Sequence, residues 1–439
     1  MTRFVLTILM VFGLSLSARA DVEIQEVTSD AGLTAWLVED HSIPFVALEI
    51  RFRGGASLDA PGKRGAINLM TALLEEGAGQ MDARAFARET EALATSFGVD
   101  VGDDALSVSA RFLTENKSES IALLRAALLE PRFDADAIER VRGQVLTGIR
   151  SDEKDPTTLA YRTFDQIAFG DHPYATSPDG TLESVTALTR EDLIAAHRAV
   201  LARDRVYIGA VGDITPDQLT ELMDAVLADL PDTGAPMPER ADVQIPPGVT
   251  VVPFDTPQSV AIFGQGGIAQ DDPDYFAALV LNQVLGGGGF ESRLMQEVRE
   301  KRGLTYGVYS FLAPKDLGEV FMGSVSSAND RIAEAIDVVR EEWSKAAAEG
   351  ISQAELDDAK TYMTGAYPLR FDGNGPIARI MVGMQMLGLP IDYISTRNAR
   401  VEAVTLDHVR RVADELLTPE GLHFVVVGQP VGFESSPGN

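Results

Sequence analysis

The run Val206-Tyr207-Ile208-Gly209-Ala210-Val211-Gly212-Asp213 reads as a buried strand ending at a glycine, and it follows Thr189-Arg190-Glu191-Asp192-Leu193, which has the Thr and acidic first turn of a helix start. The same succession returns near the C-terminus, where Thr405-Leu406-Asp407-His408-Val409 leads to Phe424-Val425-Val426-Val427-Gly428-Gln429. The two Thr residues and the two Val-Gly pairs are each 216 residues apart. Earlier segments also recur. Ser96-Phe97-Gly98-Val99 is echoed by Thr305-Tyr306-Gly307-Val308 at an offset of 209, and Leu106-Ser107-Val108-Ser109-Ala110 by Val320-Phe321-Met322-Gly323-Ser324 at 214. Several elements recurring in one order mark an internal duplication.

Working outward, each half has an early set of paired strands, Leu33 to Val38 with Val46 to Phe52 and Val249 to Pro253 with Val260 to Gly264. Two helices, two further strands and several helices follow. That succession predicts α+β, two homologous domains, each a mostly antiparallel sheet covered on one face by helices. The predicted boundaries are residues 21–230 for the N-terminal domain, 231–248 for an exposed proline-rich linker and 249–439 for the C-terminal domain.

The 439 residues carry a net charge of −29, and an acidic surface of that size excludes nucleic acid and anionic lipid as natural partners. Arg3, the apolar run Phe4 to Leu14 and Ala18-Arg19-Ala20 match a cleaved signal peptide over residues 1–20. The expected location is therefore outside the cytoplasm, in a Gram-negative periplasm or secreted from another kind of cell. An uncleaved anchor is the alternative, but the run is shorter than the roughly 20 residues a span requires. There is no Cys, which removes disulfide and thiol chemistry.

The stretch Gly65-Ala66-Ile67-Asn68-Leu69-Met70-Thr71-Ala72-Leu73-Leu74-Glu75-Glu76-Gly77 resembles the G-x-x-H-x-x-E-H-x-x-x-x-G helix of insulinase/pitrilysin-type zinc metallopeptidases. Both glycines are kept, while Asn68, Thr71 and Ala72 stand at the two His and the Glu. The third ligand of that family, a Glu on a later helix, corresponds to Gly148. Zinc takes about three protein ligands from His, Cys, Asp and Glu, and the five histidines, His41, His172, His197, His408 and His423, include no two at helical i, i+3 or i+4 spacing. The expectation is no metal in this chain.

A second motif, Ser292-Arg293-Leu294-Met295-Gln296-Glu297-Val298-Arg299-Glu300-Lys301-Arg302-Gly303-Leu304-Thr305-Tyr306-Gly307, resembles the family's S-R-L-x-x-x-L-R-E-x-x-x-L-x-Y segment. The resemblance implies that Arg299 and Tyr306 bind substrate and contribute to catalysis, since a guanidinium and a phenol can hydrogen-bond a carbonyl and its developing oxyanion. The plain alternatives are a basic helix C-terminus favoured by the dipole, local pairing of Glu297 and Glu300 with Lys301 and Arg302, and an aromatic that merely opens a strand. Gly286-Gly287-Gly288-Gly289 lacks any phosphate-loop context, and the resemblance makes it a substrate-chamber lip or hinge. In Gly170-Asp171-His172-Pro173-Tyr174 the His is expected to bond within its turn.

Taken together, the resemblance implies a clamshell of two domains and a zinc-free subunit of a two-chain peptidase. An insulinase-type partner with intact H-x-x-E-H would hold the zinc and cleave peptides, so activity of this chain alone is not expected. The alternative is a non-catalytic peptide-binding or scaffold protein of the same fold.

Overall fold

The computed structural model describes residues 23–433, so the expected signal segment lies outside the described residues. The first half contributes β1 (Gln25–Thr28), β2 (Thr34–Glu39), β3 (Phe45–Arg53), the short hairpin β4 (Gly77–Ala78) and β5 (Met81–Asp82), then β6 (Ser96–Val101), β7 (Ala105–Leu113) and β8 (Val206–Gly212). The second contributes β9 (Gly248–Pro253), β10 (Gln258–Gly266), β11 (Val308–Lys315), β12 (Gly318–Ala328) and β13 (His423–Gly428). The two large sheets run β1-β2-β8-β3-β7-β6 and β9-β13-β10-β12-β11. Apart from the added edge strand β1, they share one five-strand plan, as the duplication predicts.

The early strands, however, are not paired with each other. In each half the last strand inserts between them, so β8 lies parallel to β2 and antiparallel to β3, and β13 does the same between β9 and β10. Local sequence suggests a hairpin because the two strands are neighbours in the chain. The nearly all-apolar β8 and β13 are buried over most or all of their length and need partners on both edges, which only a central position provides. The glycines that end them do equivalent work. Gly212 (φ +132°) and Gly428 (φ +153°) pass so close to the start of the neighbouring strand that a Cβ would lie 2.2 Å from the Phe45 carbonyl oxygen or 2.3 Å from Ser259 Oγ.

Each sheet packs one face against helices of its own half, forming two extended apolar cores. Sequence periodicity predicts coverage of that face only. The other face of each sheet is covered by a helix from the opposite half: Pro156–Phe169 lies on β10 and β13, and Asn374–Met386 lies on β8 and β3. Both exchanged helices settle onto a glycine. A Cβ on Gly264 would lie 2.6 Å from the Phe164 ring, and one on Gly209 would lie 2.9 Å from Val382 Cγ2.

The α+β halves face each other as a clamshell, and polar contacts stitch the two shells where their equivalent hairpin turns meet. Tyr174 donates a hydrogen bond to Asp104 and accepts one from the Leu317 amide at 3.1 Å, while the Asp316 amide donates to Asp104 at 3.2 Å. Lys315 pairs with Asp103 at 2.7 Å and sits 4.2 Å from the centre of the Tyr174 ring. Residues 231–248, expected as an exposed linker, include no fully buried residue, and their second half runs along the molecule as a strap. Ala241 N donates to Leu317 O and Gln244 N to Ala168 O, and Ala241, Val243 and Ile245 pack beside the exchanged helix Pro156–Phe169. Alternating small apolar residues between the prolines let this extended segment bury one edge.

Candidate functional site

The segment carrying Arg299 and Tyr306 is anchored at nearly every other position. Ser292 is buried and its hydroxyl donates to Gly289 O at 2.8 Å; Leu294 is also buried. Arg293 forms a two-pronged pair with Glu355 (2.6 and 2.8 Å), and Glu355 at the same time closes the capping box of the helix Gln353–Ala366 with Ser352. Glu297 accepts from both Lys301 and Arg302, which hold its carboxyl below the usual range. The local pairing weighed from sequence is thus real for Glu297.

Arg299 is not consumed by that network. It sits in a π-helical turn, Met295–Glu300, with its guanidinium 4.6 Å from the centre of the exposed Phe290 ring and 3.4 Å from Glu300. π-turns widen the helix and recur at functional sites. Beyond Gly303 (φ +60°) the chain is pinned by Thr305, whose hydroxyl hydrogen-bonds the carbonyl oxygens of Gly307 (2.8 Å) and Ser326 (2.6 Å). Arg331 donates to the Gly303 and Arg302 carbonyls from the other side. Tyr306 therefore projects from a fixed loop just ahead of β11 rather than opening it. Its side chain is 88% exposed and makes no hydrogen bond among the described residues. Arg299 and Tyr306 line one groove of about 440 Å³, with Gln258, Thr305 and Arg331 on its walls.

The glycine run is largely helical. Gly286 and Gly287 lie in a second π-turn, where a Cβ on Gly286 would meet Ser310 Oγ at 2.3 Å and one on Gly287 would meet Asn282 Nδ2 at 2.6 Å. Gly288 approaches the Gln283 carbonyl equally closely, so three of the four glycines serve close packing. Gly289 (φ +58°) alone combines a left-handed backbone with open space.

At the degenerate zinc helix, Ala66–Thr71, the flanking glycines are required by the backbone: Gly65 has φ +91° and Gly77 +114°. The side chains between them do not fit a zinc ion. Asn68 donates its amide to Asp179 at 3.1 Å, and the buried Thr71 hydroxyl has no partner among the described residues. Ala72 is exposed, and Gly148 sits on an exposed face of the helix Ala135–Asp152 with open space where a side chain would stand. An amide, a hydroxyl, a methyl and a glycine make no zinc donor set. Glu76 is tied to Arg140 at 2.8 Å, while burial and the adjacent Glu76 charge raise the pKa of Glu75. None of the four former ligand or base positions lines the Arg299–Tyr306 groove.

His172 bonds within its turn, accepting from the Tyr174 amide at Nδ1 (3.2 Å) and reaching Glu239 O from Nε2 (3.1 Å). The interlock at Asp103, Asp104 and Lys315 escapes sequence reading, because its members are about 200 residues apart and form no motif.

The family described as "Peptidase M16 inactive domain" matches residues 187–363. A solved structure of a peptidase M16 inactive domain from Pseudomonas fluorescens is 30% identical and superposes with a TM-score of 0.87, covering 94% of this chain and 99% of that one. Among curated proteins, the "Non-peptidase homolog YmxG" of Helicobacter pylori is 28% identical over 93% of this chain and 94% of its own length. The "Uncharacterized zinc protease SCO5738" of Streptomyces coelicolor is 26% identical over 83% and 80%. By sequence and by architecture, this chain belongs to the insulinase-type peptidase M16 family, with a degenerate zinc motif.

Proposed function

We propose that this chain is the zinc-free subunit of an exported two-chain metallopeptidase, in which Arg299 and Tyr306 bind peptide beside a partner chain that carries H-x-x-E-H. The observation that carries this reading is the groove itself. A guanidinium and an unpartnered phenol are presented to solvent on a rigid loop, away from a zinc helix that has lost its donors. The partner's zinc would supply the polarised water. Arg299 and Tyr306 would hold the scissile carbonyl and donate hydrogen bonds to the oxygen on which charge develops.

The second reading, a peptide-binding or scaffold protein, draws on the name of the Helicobacter pylori relative, a non-peptidase homolog. It also draws on the Phe290 and Glu300 contacts that occupy Arg299. Peptide hydrolysis by the mature chain, alone and co-expressed with an M16 chain retaining H-x-x-E-H, separates the two. The subunit reading expects chelator-sensitive activity only from the pair, reduced about 100-fold or more by Arg299→Ala, within the range for loss of one oxyanion donor, and less by Tyr306→Phe. A partner equally active alone, or a pair indifferent to Arg299→Ala, leaves the scaffold reading.

A further inference from the structure

A groove of about 670 Å³ lies between the exchanged helix Asn374–Met386 and the helices Tyr275–Asn282 and Tyr393–Glu402, lined by Arg370, Arg379 and Arg397 with Tyr275, Tyr367 and Tyr393. Its size falls within the roughly 300–1,000 Å³ of small-ligand sites. No carboxylate lines it, although acidic residues outnumber basic ones by 66 to 37 in this chain. Three guanidinium groups gather here; the Glu49 carboxyl lies close enough to Arg379 to feel its charge but stands outside the groove, bonded to Ser109 and paired with Arg51, so an anion in the groove would relieve the surplus of positive charge.

One of the three guanidinium groups is held in place by internal bonds and the other two are uncommitted. Arg397 is buried and fixed, donating to Met363 O at 2.9 Å and lying 4.5 Å from the centre of the Tyr367 ring. Arg370 and Arg379 form no hydrogen bond or ion pair among the described residues, and neither do the hydroxyls of the three tyrosines. Burial and, to a smaller extent, the nearby Arg370 charge lower the pKa of Arg397. Between these polar groups the floor is apolar, formed by Leu279, Ile380, Met384 and Leu389, and Gln270 offers an amide at one edge.

We infer that this groove binds the free C-terminal carboxylate of a peptide ending in an apolar residue. The arginines and phenols would take the carboxylate, the floor the terminal side chain, and the Gln270 carbonyl a backbone N–H. A free fatty acid shares the apolar-carboxylate chemistry but offers Gln270 nothing, which is why the peptide is favoured. The site is separate from the Arg299–Tyr306 groove and does not depend on the peptidase reading.

The test is calorimetric titration of the full mature chain at low salt with acetyl-Ala-Ala-Phe as the free acid, its C-terminal amide, and octanoate. The expected result is that the acid binds at least tenfold more tightly than either comparator and weakens at least tenfold with Arg370→Gln/Arg379→Gln. Both changes fall on exposed side chains, and an unchanged melting temperature establishes that the variant is folded. Equal binding of acid and amide, tighter binding of octanoate, no detectable binding of the acid, or an unaltered Kd in the folded double variant would each overturn the assignment.

Discussion

At the scale of single residues, the Arg299 segment separates positions that hold the structure from positions that are spare. Ser292, Arg293, Glu297 and Thr305 each satisfy a cap, an ion pair or a backbone carbonyl. Tyr306 is left to face solvent and, among the described residues, the Arg299 side chain keeps only its Phe290 and Glu300 contacts, so substituting them should cost activity of the assembled pair and little stability. Another residue-scale consequence concerns Asp165 on the exchanged helix Pro156–Phe169. Burial pushes its carboxyl up to about 7, against the pull of the Lys315 charge and with a small push from Asp103. A carboxyl raised in the folded state binds its proton more tightly there than when unfolded. Its contribution to stability is present below about pH 4 and is lost as pH rises through about 7. The Asp165→Asn variant should therefore melt above the parent at pH 8, with the gap closing toward pH 4. A gap of the same size at both pH values, in thermal melts followed by circular dichroism, would count against a buried titrating Asp165.

At the scale of elements, the exchanged helices depend on glycines that let them reach the sheets. Gly209→Ala places a methyl 2.9 Å from Val382 Cγ2 and 3.0 Å from the Ala378 carbonyl oxygen, and the second of these is backbone that cannot rotate away. The expected loss is about 1–3 kcal/mol, the usual range for overpacking, and chemical denaturation measures it directly. A change within about 0.5 kcal/mol, the ordinary scatter of surface substitutions, would show that the helix shifts without penalty. Helix starts are the elements most legible in sequence: Thr189 and Thr405 both form capping boxes as their spacing suggests. Strand neighbours are the least legible. Nothing in Leu33–Val38 or Val46–Phe52 reveals that a strand about 160 residues later will separate them.

At the scale of the whole molecule, the two halves are duplicated but not independent. Each lends a helix to the other's sheet, and the Tyr174–Asp104–Leu317 and Lys315–Asp103 contacts close the seam. Separating the halves would strip Phe164, Val260, Ile262 and Val425 of their mutual cover. Differential scanning calorimetry should accordingly show one cooperative transition, with calorimetric and van't Hoff enthalpies in agreement. Two resolved transitions would mean that the exchanged helices bind too weakly to couple the halves.

Sequence alone determined the duplication, the α+β class and the loss of zinc donors, because these are written in residue identity and short-range spacing: a Val-Gly strand end, a capped helix, an Asn where a His would stand. Tertiary structure decided the rest. Insertion of β8 and β13, the helix exchange, the interlock at Asp104, and the meeting of Arg370, Arg379 and Arg397 in one groove each join segments with no local signal for their partner. Such contacts form because buried strands and helices must cover their remaining apolar faces, and the segment that does so is chosen by packing across the whole chain. The Arg299–Tyr306 groove shows both sides at once: the spacing of the pair is read from sequence, and its exposure to a ligand follows from Arg293, Glu297, Arg302 and Thr305 being occupied elsewhere, while the Arg299 guanidinium meets Phe290 and Glu300.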